Sequence, residues 1–443
     1  MEQPTGQPEK KQIYKKMEAQ TIPDEILEAM SLKNRYAFVN ANMMSILNDN
    51  EKNMFDKVQR FCLKYEKKNT IMHNEDFYPW IKDFGVEHYV TRSQSFPEVG
   101  VDHGEKDGLA MEFMRGLAVD MFDPQFNMAM GASVLAINPI KHHHDNREPC
   151  LKALKELVTG EVAGCICITE PLKGSDANHP DTISVRSADG LKITGTKCYN
   201  TNAPKSKYAV VYGTTEPAAK DADMKMTQSL VLLPDPTVNI ERTFIPWTPR
   251  IWIGKETFKE TFVPNERILC DVGKGKDGLF EGLVPERMGI AILDVCEAWG
   301  AFAFAAIYAN LRKQMGQEII KHQGVGFLLA DSWAQITNFT LAVLQFCRSY
   351  DEALKKYGGK LPGPLAMALV ASASQMKYQG AILAERTCYE MANVMGGAGV
   401  SDNTLMQDYL GVSRIQEVVG GARQIQLYVI SMALRKLWSS SNR

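Results

Sequence analysis

Along the 443 residues the spacing of apolar positions changes character twice. In "NEKNMFDKVQRFCLKYEKK" (50–68) and "DGLAMEFMRGLAVDMF" (107–122) apolar residues recur three and four apart, which predicts amphipathic helices over about 47–163. The texture then shortens. "GCICITEP", "ISVRSADGLKITGTKCYNTNA", "YAVVYGTT", "SLVLLPDP" and "KETFKETFVPNERIL" are β-branched, partly alternating and cut by Asp-Gly and Pro, so 164–274 reads as a β-domain. From 275 the long period returns over roughly 286–314, 323–356, 364–395 and 412–437, separated by short breaks such as "YGGKLPGP" and "MGGAGVSDN". Four long helices with short connectors predict an antiparallel bundle. Residues 1–46 begin polar and lysine-rich, then gain Ile26, Leu27, Met30 and Phe38, and read as a partly helical extension. The fold class is α+β.

Charge narrows the partners. Lys+Arg 50 against Asp+Glu 52 gives a net charge of −2 and no reason to expect nucleic acid or an acidic membrane surface. The longest apolar run, "AWGAFAFAAIYA" (298–309), is shorter than the roughly 18 residues of a membrane span, so a core helix and no membrane insertion are expected. The nine cysteines are scattered, and the Cys165/Cys167 spacing fits neither a zinc knuckle nor a CxxC redox site. A reducing compartment follows, and the first twenty residues lack a signal-peptide core and any arginine, which gives a cytoplasmic expectation. Three consecutive histidines in "KHHHDNREP" (141–149) diverge on any regular element and read as a surface turn between helices, with no metal site.

Candidate chemistry sits in three places. "LVPERMGIA" (283–291) sets Glu286 and Arg287 at a helix entry behind Pro285, where an acid is ordinarily a favourable first-turn charge. "CICITEPLKGSDANHP" (165–180) leaves a strand for a turn that can offer backbone N–H groups to an anion. "DGLKITGTKCYNTNA" (189–203) gives a hairpin and a strand on which Tyr199 and Thr201, two residues apart, share one side and could stack on and hydrogen-bond to a planar ring. Each also has a plain structural reading.

Taken in order, "ITEPLKGSD", "LKITGTKCYNTNA", "FVPNERIL", "LRKQMGQEIIKHQGVGFLLAD", "VMGGAGV" and "VVGGARQIQ" resemble the acyl-CoA dehydrogenase family of flavoproteins over nearly everything after residue 46. The resemblance implies that family's fold, with an N-terminal helical domain, a middle β-domain and a C-terminal four-helix bundle. It also implies FAD as cofactor. Carried across, Ile166, Cys167, Thr169, Gly174 and Ser175 line the flavin and its pyrophosphate, with Ser175 also toward the CoA pantetheine. Tyr199 stands beside the isoalloxazine where the family usually has tryptophan or phenylalanine, and Thr201 lies near N5. Arg312, Asn393 and Gly397 match FAD contacts made from a neighbouring subunit, although Gln314 and Met315 depart from the usual Thr and Phe. Ala422 and Gln424 match the segment near the AMP half. These shared contacts imply a homo-oligomer, commonly a tetramer, and an electron-transfer flavoprotein as acceptor.

The family's usual glutamate in the last bundle segment is missing. The matching position is Gly420, which cannot take a proton. Isovaleryl-CoA and long-chain relatives place the base at the start of the first bundle helix, before an arginine, and Glu286 matches that acid. The resemblance thus makes Glu286 the base for α,β-dehydrogenation of an acyl-CoA thioester. Gly420 would offer its N–H to the thioester oxygen and Arg287 would lie near the CoA arm. A bare wall at Gly420, Gly421 and Ala422 leads to the expectation of a branched, alicyclic or aryl-substituted acyl group. Two rivals stand beside this reading: an oxygen-reactive relative, whether acyl-CoA oxidase or flavin monooxygenase, and a flavin-free scaffold.

Overall fold

The computed structural model describes residues 20–441 except 44, 67–76, 80, 83–95, 102–107, 216–225, 271–272, 274 and 276–281. Helices Asp24–Ala29 and Leu32–Met43 fall within the stretch read as an extension, yet Ile26, Met30, Tyr36, Val39 and Met43 are buried in the same core as the helices that follow. Helices Asp49–Tyr65, Leu109–Phe122, Pro124–His143 and Glu148–Val158 complete the first helical part. The helix Leu109–Phe122 starts at Gly108 with no side-chain cap of its own, and Asp351 from the bundle supplies one by accepting from Leu109 N (2.8 Å) and Ala110 N (3.1 Å). Burial raises that carboxyl to about 6.

The middle part is one mixed sheet of β1 (Ala163–Cys167), β2 (Ile183–Ser187), β3 (Gly190–Thr201), β4 (Ser206–Thr215), β5 (Met226–Leu232), β6 (Val238–Thr243) and β7 (Ile253–Pro264). Strands follow the order β1-β4-β2-β3-β7-β6, with β5 also on β4; β1 and β2 run parallel to β4 and the other pairs are antiparallel. Alternation along β1 divides the two cores: Ile166 packs toward the large helical core, whereas Cys165 and Cys167 enter a smaller one with Ile193, Val211, Phe258 and Val263.

The bundle opens with Leu283–Leu311, packed against helices Gly363–Met395, Leu109–Phe122, Gln323–Lys356 and Met406–Gln416. Its 28 residues from Val284 are long and apolar enough to cross a membrane by length and composition, and 89% of the most apolar window is buried inside the protein. The uninterrupted apolar run is still 298–309, bounded by Glu297, but the helix around it is apolar over a longer span and lies at the centre of the core. The helix expected over 412–437 is two, Met406–Gln416 and Arg423–Ser441. Gly420 (φ 62°) and Gly421 (φ 90°) between them hold left-handed backbone that no helix continues through.

One buried cluster ties the three parts together. Arg250, from the segment between β6 and β7, donates from Nη2 to Asp123 Oδ1 (2.8 Å) and to Asp408 Oδ1 (3.0 Å). Asp123 caps the helix Pro124–His143 by accepting from Phe126 N, and Asp408 lies in Met406–Gln416. The same helix comes so close to the β-domain at Gly411 that a Cβ there would lie 1.8 Å from the Trp247 carbonyl oxygen. Arg250→Met should therefore leave two buried carboxylates without a counter-ion and destabilise the fold by about 3–5 kcal/mol. Urea denaturation followed by circular dichroism measures this, and a midpoint unchanged from wild type would contradict it.

Candidate active site

Glu286 lies in the first turn of Leu283–Leu311, where Pro285 suits the helix start, and its side chain is partly covered. The turn after Met406–Gln416 folds back over it. A Cβ built on Gly420 would stand 3.6 Å from Glu286 Oε1 and 2.3 Å from Ile290 Cδ1. Positions 286 and 420, the two at which the resemblance puts an acid, therefore face one another across a single space. Ile290, one helical turn after Glu286 and buried, fills the room a side chain at 420 would need. The wall expected to be bare is covered by Ile290, because a helix aligns residues four apart on one face.

Desolvation raises the Glu286 carboxyl above its ordinary value, against the opposing pull of Arg287 and Lys377. The turn itself is held from two sides. Lys377, 1% exposed, donates to Gly421 O (2.9 Å) and Glu417 O (3.2 Å), and Gln426 Nε2 donates to Gly420 O (3.0 Å) and Gly421 O (2.7 Å). Among the described residues no acceptor lies on the Gly420 N–H, so that donor is open. Arg287 is buried and donates from Nη1 to Ser374 Oγ (2.9 Å). The i to i+1 step around a helix turns it away from the face that carries Glu286.

On the β-domain the exit of β1 and the end of β3 meet: Cys198 N donates to Thr169 O (2.9 Å). Glu170 next to it is buried, accepts from Thr182 N (2.8 Å) and from Lys197 Nζ (2.9 Å), and so fixes the base of the loop that leads to exposed Gly174 and Ser175. The register of β3 on β7 slips between Cys198 and Asn200, leaving Tyr199 as the extra residue at φ 60°. Asn200 is drawn inward to donate to buried Glu256, whose carboxyl burial raises to about 7. Tyr199 is thereby thrown outward, 64% exposed, beside the partly open Thr201. Ile166 on β1 and Thr169 at its exit are partly open, as is Thr201. Cys167 is not: its side chain is fully buried on the opposite side of β1, and only its backbone could reach a ligand.

Arg312, Asn393 and Gly397 are exposed on the bundle, as is Gln424, with Ala422 partly covered. Of the residues the site needs, Ile290, Lys377 and Gln426 went unread. Only Lys377 left a trace in sequence, as a lone cation within "AMALVASASQMKYQGAI". His142 and His143 end the helix Pro124–His143 and His144 caps it, and among the described residues no group of side chains could hold a metal.

Two family models match this chain: "Acyl-CoA dehydrogenase, middle domain" over residues 165–248 and "Acyl-CoA dehydrogenase, C-terminal domain" over 273–435, together more than half of it. A probable acyl-CoA dehydrogenase of Bacillus subtilis, YngJ, is 27% identical over 315 residues, which are 70% of this chain and 76% of that protein. The caffeyl-CoA reductase-Etf complex subunit CarC of Acetobacterium woodii is 27% identical over 64% of this chain and 72% of its own. Among solved structures, butyryl-CoA dehydrogenase from Megasphaera elsdenii superposes with a TM-score of 0.76 at 21% identity, covering 88% of this chain and 98% of that one. Glutaryl-CoA dehydrogenase from Mycobacterium smegmatis in complex with FADH2 does so at 0.75 and 17%, covering 88% and 95%, and PigA with FAD and proline at 0.76 and 18%, covering 88% and 98%.

The left-handed Tyr199 carries a cost that an exposed side chain does not recover through burial. Tyr199→Gly should stabilise the ligand-free protein by about 1 kcal/mol, because glycine adopts that backbone without the Cβ clash. A thermal melt of the apoprotein reads the change, and a lower melting temperature in the variant would show that the ring contributes more to packing than the backbone costs.

Proposed function

We propose that this chain, which belongs to the acyl-CoA dehydrogenase family, removes hydrogens from the α- and β-carbons of an acyl-CoA thioester with Glu286 as the base. The observation that carries the reading is the 3.6 Å approach of the Gly420 position to Glu286 Oε1. It supports one carboxylate serving a space that two alternative positions border. The solved neighbours bind FAD and FADH2, and the residues here fit such a ring: an outward aromatic held by a bulge, two threonines partly open beside it, and an exposed loop anchored by buried Glu170 and Lys197. Ile166, Thr169, Gly174, Ser175, Tyr199 and Thr201 would hold the cofactor. When bound, FAD supplies the acceptor for the hydride that leaves the β-carbon.

The chain's own residues do the rest. Glu286 Oε1 takes the α-proton, and a carboxyl raised by desolvation is a better match to a weakly acidic carbon than an ordinary one. The open Gly420 N–H donates to the thioester oxygen as negative charge grows there. Losing the side chain at 420 costs the site a proton acceptor and no backbone donor.

Exposed Arg312, Asn393 and Gly397 support a homotetramer in which one copy completes the cofactor site of another. An electron-transfer flavoprotein as acceptor rests on the Etf complex of the Acetobacterium woodii relative. The cytoplasm is the compartment we assign from the nine buried cysteines, none of them in a disulfide. The expectation of a branched, alicyclic or aryl-substituted acyl group rested on an unoccupied wall. Since Ile290 occupies it, we assign the degree of acyl branching to Ile290 itself.

Glu286→Gln keeps the shape of the side chain and removes the base, so anaerobic flavin reduction by acyl-CoA should slow by at least about 10²-fold while thioester binding persists. Reduction at the wild-type rate would place the base elsewhere. Ile290→Ala should raise kcat/KM for branched or ring-bearing thioesters over straight-chain ones by about 10-fold or more, the effect of a methylene-sized relief in an apolar pocket. A ratio that does not move would remove Ile290 from acyl selection.

A further inference from the structure

The helix Gly363–Met395 carries one cation into the floor of the site. Lys377 is buried, and its ammonium donates to the carbonyls of Glu417 and Gly421 that bracket Gly420. Those carbonyls close the end of Met406–Gln416, where a cation also meets the negative end of the helix dipole. The groups facing Lys377 are Asp294 and Glu286 on the first bundle helix, Glu417 on the turn and, as a like charge, Arg287. Asp294 lies beneath: both its oxygens are buried without a hydrogen-bond partner, and burial pushes its carboxyl well above the usual range. Arg287 is committed to Ser374. Arg414 and Arg423 pair with the Glu417 side chain from the exposed side, and Lys377 is the buried cation that reaches the carbonyls of the turn facing Glu286.

We propose that Lys377 is a positioning residue that holds the Gly420 backbone over the Glu286 carboxylate and keeps a positive charge beside it. The role rests on Glu286 being the base, because the charge matters to turnover only through that carboxylate. Two effects combine. The two hydrogen bonds fix where the Gly420 N–H points, and an N–H aimed at a growing oxyanion acts by its direction as much as by its presence. The ammonium also favours the ionised form of Glu286, opposing the desolvation that raises it.

The test compares Lys377→Met, Lys377→Gln and Lys377→Arg in the FAD-loaded protein. Glu286 works deprotonated, so activity rises with pH through its pKa. Removing the cation lifts that pKa and moves the acid limb of the kcat/KM profile upward. The expected shift is about one pH unit in Lys377→Met and in Lys377→Gln, with Lys377→Arg leaving the limb in place. At the optimum, Lys377→Met should lose about 10- to 100-fold in kcat, short of deleting an oxyanion donor outright. Lys377→Gln can still donate to the carbonyls, which separates charge from tethering.

Hydrogen exchange of the peptide spanning 417–424 needs no turnover, and its protection should fall in Lys377→Met and return in Lys377→Arg. An acid limb that stays put in both uncharged variants, whatever happens to kcat, overturns the proposal. So does unchanged protection of 417–424 in Lys377→Met. If Glu286→Gln shows that Glu286 is not the base, the base assignment alone has failed and the exchange measurement still decides the tether.

Discussion

Arg250 lies fully buried between Asp123 and Asp408, and each of the three ions comes from a different layer of the molecule. Burying such a triad yields little net stability, since desolvation consumes most of the Coulombic gain. Its effect is on geometry. The carboxylates leave the guanidinium few directions, so the segment between β6 and β7, the cap of Pro124–His143 and the helix Met406–Gln416 are locked to one another. Gln125 extends the lock, accepting from Arg250 N (3.0 Å) and pairing with Asp408. The helix thus held is the one that leads directly into the turn with Gly420. The approach of Gly420 to Glu286 therefore depends on a charge cluster in another part of the fold.

The first bundle helix shows how charge is managed inside an apolar element. Glu286, Arg287, Asp294 and Glu297 all lie on it, within a segment otherwise apolar enough to sit in a bilayer. Burial pushes Asp294 and Glu297 well above the usual carboxylate range, and Gln416 donates to Glu297 at 2.5 Å. Neutral acids are affordable in such surroundings and ionised ones are not. Beside them, Glu286, Arg287 and Lys377 share this end of the helix with Glu417 of the turn.

How much of this was legible follows the range of the interactions. Apolar period separated the helical and β segments, and three of the four bundle helices were read to within a few residues, because each buries a continuous face. Glu286 was singled out through the resemblance, with glycine at the alternative position; locally, an acid behind proline at a helix entry reads as an ordinary first-turn charge. The fourth helix was not legible. The apolar pattern runs unbroken through 412–437, and only the left-handed pair Gly420 and Gly421 interrupts it. The bulge at Tyr199 was hidden because the alternation survives it: Asn200 still points in and Thr201 still points out. Ile290 went unread for the converse reason. Helical phase, which places residue 290 over 286 and swings 287 aside, is decided by the partner helix, and the partner is distant in sequence. The two helices Asp24–Ala29 and Leu32–Met43 were set apart because their lysine-rich approach masks apolar positions whose core belongs to other segments.

The pairing of Gly420 with Ile290 has a historical implication. Two positions border one reaction space, and either can carry the carboxylate, but a chain cannot pass between the two arrangements in any order. Adding an acid at 420 while Glu286 remains would set two carboxylates against each other across a few ångströms, and one would be forced to stay protonated. On the proposed role of Glu286, removing it first leaves no base. Ile290 closes the route further, since a side chain at 420 would collide with its Cδ1 before reaching the substrate. With Ile290 in that room, moving the carboxylate to 420 takes three coordinated substitutions in place of two. The location of the base then behaves as a ratchet, held by a neighbouring hydrocarbon that takes no part in the chemistry.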